Sequence, residues 1–413
     1  MANNMRFTCQ TKDLDNAIKL SKLLHSEDRA QVIMLRAAEN GGYVHYEIRV
    51  PATSAGAKSE DTSRPSHFIL RVKCEAKVDI AGSVFLPLRN LEATMKAATK
   101  ETCTITLLEN LRCKVERITM AAAQKPEIWP DLTEAPCKLW LDTKPTIAWM
   151  EYLIDSMSTD VARVNRNCMS IQKHAPHLRD ESANYAGLMG VTTDGHRLHA
   201  HFIPHPAKAI VAAFHDALLP ARAVHIALAM MRLKKKTQFG IWSSRQDPKD
   251  SMSVRWRIVA DNISLECPAW NVVFPPHMQV IPKHDGMRWY ELDRDEAVET
   301  FKAIKAVAPS LTHTARVMLP DSDSGLMHLQ ADNPDTNSVF ESELEAKLHP
   351  DGQKRKEGGF IAGFNCQYLV HAIESNPSPK VLVMFAGELD PCVIVDAANR
   401  EGFPVSVVMP MWV

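Results

Sequence analysis

The chain has almost no charge imbalance. Its 48 Lys and Arg against 49 Asp and Glu leave a formal net charge of −1 over 413 residues. Attraction to a polyanion therefore has to come from local clusters of basic side chains, not from a global excess. The nine cysteines are an odd number and form no Cys-x-x-Cys pair, which argues against a disulfide framework and for small core residues in a reducing compartment. No run of about 18 apolar residues occurs, and the opening residues Met1 to Thr8 lack the apolar core of a signal peptide. No membrane or export route is expected. A GxxxxGK[ST] phosphate loop, a Gly-rich dinucleotide fingerprint and a Gly-x-Ser-x-Gly elbow are all missing, so no ATP, nicotinamide or serine-hydrolase chemistry is expected.

What remains is an ordinary globular composition, 45% hydrophobic and 23% charged, long enough for roughly two to four domains. A repeat organises it. Phe85-Leu86-Pro87-Leu88-Arg89-Asn90-Leu91 opens a helical pattern through Met95, with Pro87 placed at a first-turn position that needs no amide hydrogen. The same text returns a domain's length later at Leu218-Leu219-Pro220-Ala221-Arg222, and more loosely at Ile361 to Leu369. Upstream of the copies lie amphipathic helices over Leu14 to Leu24, Pro145 to Met157 and Arg294 to Val307. Downstream lie strand pairs, Thr104 to Glu109 with Cys113 to Met120, Gln238 to Ser243 with Ser253 to Val259, and Val381 to Phe385 with Cys392 to Val395. The proline signals Pro126 to Pro130 and Val273 to Pro276 close the first two copies, and Val408 to Pro410 closes the third. The spacing predicts an α+β chain of three similar domains, 1–138, 139–284 and 285–413. Polar stretches at Ala52 to Ser66, Ser244 to Asp250 and Pro350 to Gly359 are expected as surface loops.

Two motifs stand out: Thr192-Thr193-Asp194-Gly195-His196-Arg197-Leu198-His199 in the middle, and the apolar end Val407-Val408-Met409-Pro410-Met411-Trp412-Val413. The apolar end is expected to dock on the chain's own surface. Together with Gly363-Phe364-Asn365, Tyr368, Asp390-Pro391 and Asn167-Cys168-Met169, they resemble the bacterial-type DNA sliding clamps, the beta subunit of DNA polymerase III. Trp412-Val413 replaces the usual Arg-Leu, and Arg166 stands where a leucine is usual. The resemblance implies three clamp domains, each with two helices and antiparallel sheets. It also implies a head-to-tail homodimeric ring around duplex DNA and a non-catalytic role as processivity factor. The implied partners are the replicative polymerase, an ATP-dependent clamp loader and other proteins with a clamp-binding motif. No cofactor, no metal and a cytoplasmic, nucleoid-associated location complete the expectation.

By the same resemblance, a partner-peptide pocket comprises Thr193, Gly195, His196, Arg197, Leu198, Pro275, Val280, Val407, Met409, Pro410 and Met411, bordered by Asn365 and Tyr368. The chemistry suits peptide capture, because methionines adapt to varied side chains, Gly195 admits a close backbone and Arg197 can meet a polar or acidic group. DNA contacts are expected from basic helix faces, which hold phosphate without reading bases. The candidates are Lys19, Lys22, Arg89, Lys96, Arg222, Arg232, Lys234 to Lys236, Lys302 and Lys305, with Arg29, Arg163 and Arg166 in loops. Two rivals remain. One is a protein-binding scaffold that never encloses DNA. The other is a metal hydrolase using His196, His199 and His201, though His196 falls on the opposite strand phase from the other two and no nearby Cys or carboxylate completes a ligand set.

Overall fold

The computed structural model describes residues 4–24, 31–38, 42–51, 67–125, 137–173, 186–234, 238–245, 249, 254–282, 286–319, 325–352, 360–399 and 403–412. Their helices are α1 (Thr11–Leu23), α2 (Leu88–Lys96), α3 (Thr143–Ile154), α4 (Lys208–Ala212), α5 (Ala221–Lys234), α6 (Arg294–Val307) and α7 (Cys366–Glu374). Among these residues no helix is long and apolar enough to cross a membrane. The short α4 has no counterpart in the sequence expectation, and the other six are the two-per-copy helices of the repeat.

Helix starts follow local chemistry, with one correction. Pro87 and Pro220 are the last residues of strands, and the helices begin one residue later, at Leu88 and Ala221. Proline still suits the junction, because its fixed φ is extended-compatible and it cannot donate into a ladder. The third copy uses a side-chain cap instead, Asn365 Oδ1 accepting from the amides of Gln367 at 2.9 Å and Tyr368 at 3.3 Å. Asp293 caps α6 in the same way, accepting from Asp295 and Glu296. In α1, Leu14, Ala17, Ile18 and Ser21 form the buried face, each large aliphatic contributing about 1.5–3 kcal/mol.

The chain divides into two compact units, Met1–Ile147 with Ala213–Asn271, and Ala148–Ala212 with Val272–Val413. In the first unit an antiparallel sheet runs in the order Ile118–Ala121, Arg112–Val115, Thr102–Leu108, Met5–Gln10, His67–Ile80, Ile263–Pro268, Val254–Ala260, Gln238–Arg245 and Leu139–Asp142. The strand His67–Ile80 is the splice: Val78 pairs with Phe7 and Val72 pairs with Ile263. One strand expected at Cys113 to Met120 is two, because Glu116 turns the chain with φ 53° between them.

In the second unit one sheet runs Cys168–Lys173, Gly187–Thr193, Arg197–Pro204, Val405–Val408, Cys392–Asp396, Lys380–Phe385, Arg288–Asp293 and Lys347–Leu348. A second sheet holds Ser338–Glu345, Leu326–Asn333, Thr314–Leu319 and Phe360–Asn365. Helices α6 and α7 pack on each other, and Phe301, Ile304, Leu369 and Ile373 lie in the same buried cluster as Val317, Leu329 and Phe364. Sheets continue from one sequence copy into another, which is why the compact units cut across the repeat.

The expected loop 52–66 and the proline signal 126–130 lie outside the described residues. Ser244 continues its strand, and of 350–359 only the turn over 350–352 is described. Eight cysteines are buried and Cys137 is half-buried, all of them free.

Candidate functional site

The two motifs become neighbours. Arg197–Pro204 pairs antiparallel with Val405–Val408, setting Arg197 opposite Val408 and Leu198 opposite Val407. The Met409 amide then donates to the His196 carbonyl at 2.9 Å, and the Met411 amide to Gly363 at 2.8 Å. The apolar end is thus laid along the central strand and tied to the second sheet of its unit.

The preceding turn is built by its own side chains. Thr193 Oγ1 accepts from the Gly195 amide at 3.0 Å and donates to the Arg197 carbonyl at 2.7 Å. Asp194 Oδ1 accepts from the amides of His196 at 2.9 Å and Arg197 at 3.1 Å. Gly195 has φ +98°, and a Cβ there would overlap the guanidinium of Arg166. Only glycine satisfies both conditions.

Against this turn lies a cavity of about 160 Å³ lined by Arg166, Thr193, Gly195, Arg197, Leu198, Pro275, His277, Val280, Val407 and Met409. Eight of the pocket residues expected from sequence therefore line one space. The others do not. His196 is exposed and contributes its carbonyl. Asn365 is committed to the α7 cap and to the Thr312 carbonyl at 2.8 Å. Met411 sits at the Gly363 bridge with its sulfur 3.9 Å from Thr314 Oγ1. Pro410 is half-buried between the two methionines. Tyr368 meets the cavity indirectly, its ring lying 4.3 Å below the Arg197 guanidinium.

Arg197 is not the open acid reader that sequence suggested. It is 9% exposed, pairs through Nε with Asp194 Oδ2 at 3.0 Å and touches His371 Nδ1 at 2.8 Å through Nη1. Burial, and then Arg197 itself, lowers the His371 pKa, so the ring is neutral and accepts. Arg166 takes the open position: it lines the cavity, with Nη1 donating to the Asp194 carbonyl at 3.3 Å. Sequence reasoning missed His277. It opens a short 3-10 turn after two prolines, is buried against Phe274 at 5.8 Å between ring centroids, and has its pKa lowered by burial.

No family model and no curated protein matches the chain by sequence. Solved structures match it end to end. The beta sliding clamp of C. crescentus is 17% identical, covers 100% of both chains and superposes with a TM-score of 0.81. A DnaN sliding clamp (DNA polymerase III subunit beta) from Bartonella birtlesii bound to griselimycin is 16% identical over 99% of this chain and 100% of its own, TM-score 0.79. The DNA polymerase III subunit beta of Pseudomonas aeruginosa is 18% identical over the same shares, TM-score 0.75.

The chain has the sliding-clamp fold. Superposition over the whole chain establishes the fold, and identity this low leaves the chemistry to this chain's own residues.

On the helices of this clamp fold, four of the basic candidates are paired with carboxylates. Lys19 meets Asp15 at 2.6 Å, Lys22 and Lys96 share Glu92 Oε1 at 2.5 and 2.9 Å, and Lys302 meets Glu374 at 2.7 Å. Arg163 is exposed and pairs with Asp160 at 3.3 Å. Arg222 turns inward, donating to the Leu24 carbonyl at the end of α1 at 3.3 Å. Arg89 is exposed and Lys305 half-buried. Arg232 is exposed on α5 and Lys234 ends that helix. Arg29, Lys235 and Lys236 lie outside the described residues.

The histidines of the metal reading are placed differently from a ligand set. His196 is exposed, while the buried His199 donates to the Tyr152 carbonyl through Nδ1 at 2.7 Å. Its ring and that of His201 flank Tyr152, whose hydroxyl lies 2.6 Å from Ser406 Oγ. Among the described residues no group of three or more His, Cys, Asp or Glu is arranged to hold a metal ion. Burial lowers the pKa of His199 to about 3 and of His201 to about 4. The unfolded chain takes up these protons near pH 6.5 and the folded chain does not, so stability is lost as pH falls below about 6.5. The slope is at most about 1.4 kcal/mol per pH unit per histidine. We expect the calorimetric melting temperature to fall between pH 7.5 and 5, and less steeply in His199→Gln. An equal fall in that variant would remove His199 from the cause.

Proposed function

We propose that this protein is a DNA sliding clamp, a non-catalytic processivity factor whose three domains (1–138, 139–284 and 285–413) form half of a head-to-tail ring around duplex DNA. The observation that carries the reading is the end-to-end likeness to sliding clamps, TM-score 0.81, in a chain whose two motif segments build one apolar cavity. The cavity takes a short peptide segment of the replicative polymerase, the clamp loader or other tethered proteins.

Two sheet edges support ring closure. Among the described residues, Ile118–Ala121 pairs only with Arg112–Val115, and Ser338–Glu345 only with Leu326–Asn333. An unpaired edge is a template for another chain. The first edge is bordered by exposed basic residues, Arg112 and Lys114 on the neighbouring strand and Arg117 in the turn between the two, and the second is acidic, with Glu341, Glu343 and Glu345 exposed on the edge strand itself. Opposite charges on the two edges favour head-to-tail pairing and oppose self-pairing of like edges.

The test is topological. The protein should remain on closed circular DNA through a salt wash and leave once the circle is linearised. Equal release from both forms, with the cavity still binding peptide, would favour a scaffold that encloses no DNA. The pairing of Lys19, Lys22, Lys96 and Lys302 with carboxylates is what makes that second reading worth the comparison.

A further inference from the structure

We propose that Arg166 makes the cavity selective for peptides in which an acidic side chain flanks the apolar residue that fills it. The inference rests on the cavity's being a peptide site and deepens that reading. A volume of about 160 Å³ matches one large apolar side chain, since a cavity of roughly 150 Å³ holds benzene. Leu198, Pro275, Val280, Val407 and Met409 supply the apolar wall. The charge beside that wall selects the residue next to the anchor.

Three titratable side chains reach the cavity, and two are already committed. Arg197 is neutralised by Asp194 and stacked on Tyr368. His277 is buried, and burial disfavours its charged form. Arg166 alone among them carries a guanidinium with no carboxylate partner among the described residues, holding only the Asp194 carbonyl at 3.3 Å. The bare Cα of Gly195 leaves the space that the guanidinium occupies. A half-buried guanidinium beside an apolar wall is an incomplete ion pair, and a carboxylate completes it with two parallel hydrogen bonds.

The carboxylate is assigned to a side chain and not to a peptide's own terminus. Terminal carboxylates are gripped by clusters of free backbone amides. Here the amides of Gly195, His196, Arg197 and Met409 all have acceptors within the protein.

The test uses fluorescein-labelled, amidated peptides carrying a Leu-Phe anchor flanked by Glu or by Gln, titrated by anisotropy against the full chain. In low salt the Glu peptide should bind roughly tenfold more tightly than the Gln peptide. Arg166→Gln should bring the ratio to about one, and Arg166→Lys should retain part of the preference. Equal affinities in the wild type, or a ratio that survives Arg166→Gln, would overturn the assignment while leaving the peptide site intact. A Gln peptide with a free terminal carboxylate that matches the Glu peptide would also overturn it, by moving the charge to the chain end. Failure of every peptide to bind would overturn the peptide site itself.

Discussion

Glu341→Lys, Glu343→Lys and Glu345→Lys together are expected to convert a particle of twice 46.2 kDa into a monomer and to abolish retention on circular DNA. These residues project from one face of an edge strand, alternating with the less exposed Phe340, Ser342 and Leu344. Their reversal leaves the core face untouched, so the subunit should fold with an unchanged melting curve. Across a head-to-tail junction they would confront Arg112, Lys114 and Arg117. Like charges forced together across an interface cost several kcal/mol, enough to weaken association by roughly a hundredfold or more. Light scattering over a dilution series reads the mass directly. Adding Arg112→Glu, Lys114→Glu and Arg117→Glu in the same chain should restore the larger particle. Persistence of the larger mass in the triple lysine variant at nanomolar concentration would show that the junction lies elsewhere.

The second large effect concerns the two methionines that follow the last strand, which sequence treated alike. Met409 lines the cavity, whereas Met411 is held by Gly363 and lies near Thr314. Met409→Ala therefore removes contact with the bound anchor and should cost about 2 kcal/mol or more in peptide affinity, roughly thirtyfold. Met411→Ala should act weakly by itself, through the bridged segment that positions Met409. The double variant should leave no binding measurable by titration calorimetry while the mass in solution stays the same. Wild-type affinity in Met409→Ala would take the methionine out of the site.

Much of the fold and of the cavity was readable in the residues. The proline and helix signals repeat, and Arg294 to Val307 was delimited to the residue. The cavity emerged from two distant motifs because antiparallel pairing of Leu198 with Val407 brings them together. Four things were not readable. His277 comes after Pro275 and Pro276 with no periodicity to mark it as buried. The ion pairs of Lys22 and Lys302 join residues 70 and 72 positions apart, beyond any helical i,i+4 rule. That Arg197 is closed off while Arg166 lies open was hidden, because a sequence shows two arginines but not that Asp194 has already claimed one. The compact units escaped notice for a related reason: strands such as His67–Ile80 serve two copies at once, and sequence repeats do not announce shared sheets.

One carboxylate, Glu92, stands between Lys22 on α1 and Lys96 on α2. Such a face carries its own counterion, fixed to the protein and unable to diffuse away. A phosphate passing over it would exchange with an internal anion, and each ammonium would have a partner waiting when the phosphate moved on. The exchange releases fewer dissolved ions than contact with bare lysines would, so grip changes less with salt. A surface of this kind resists sticking more than it resists slipping, which suits the proposed ring.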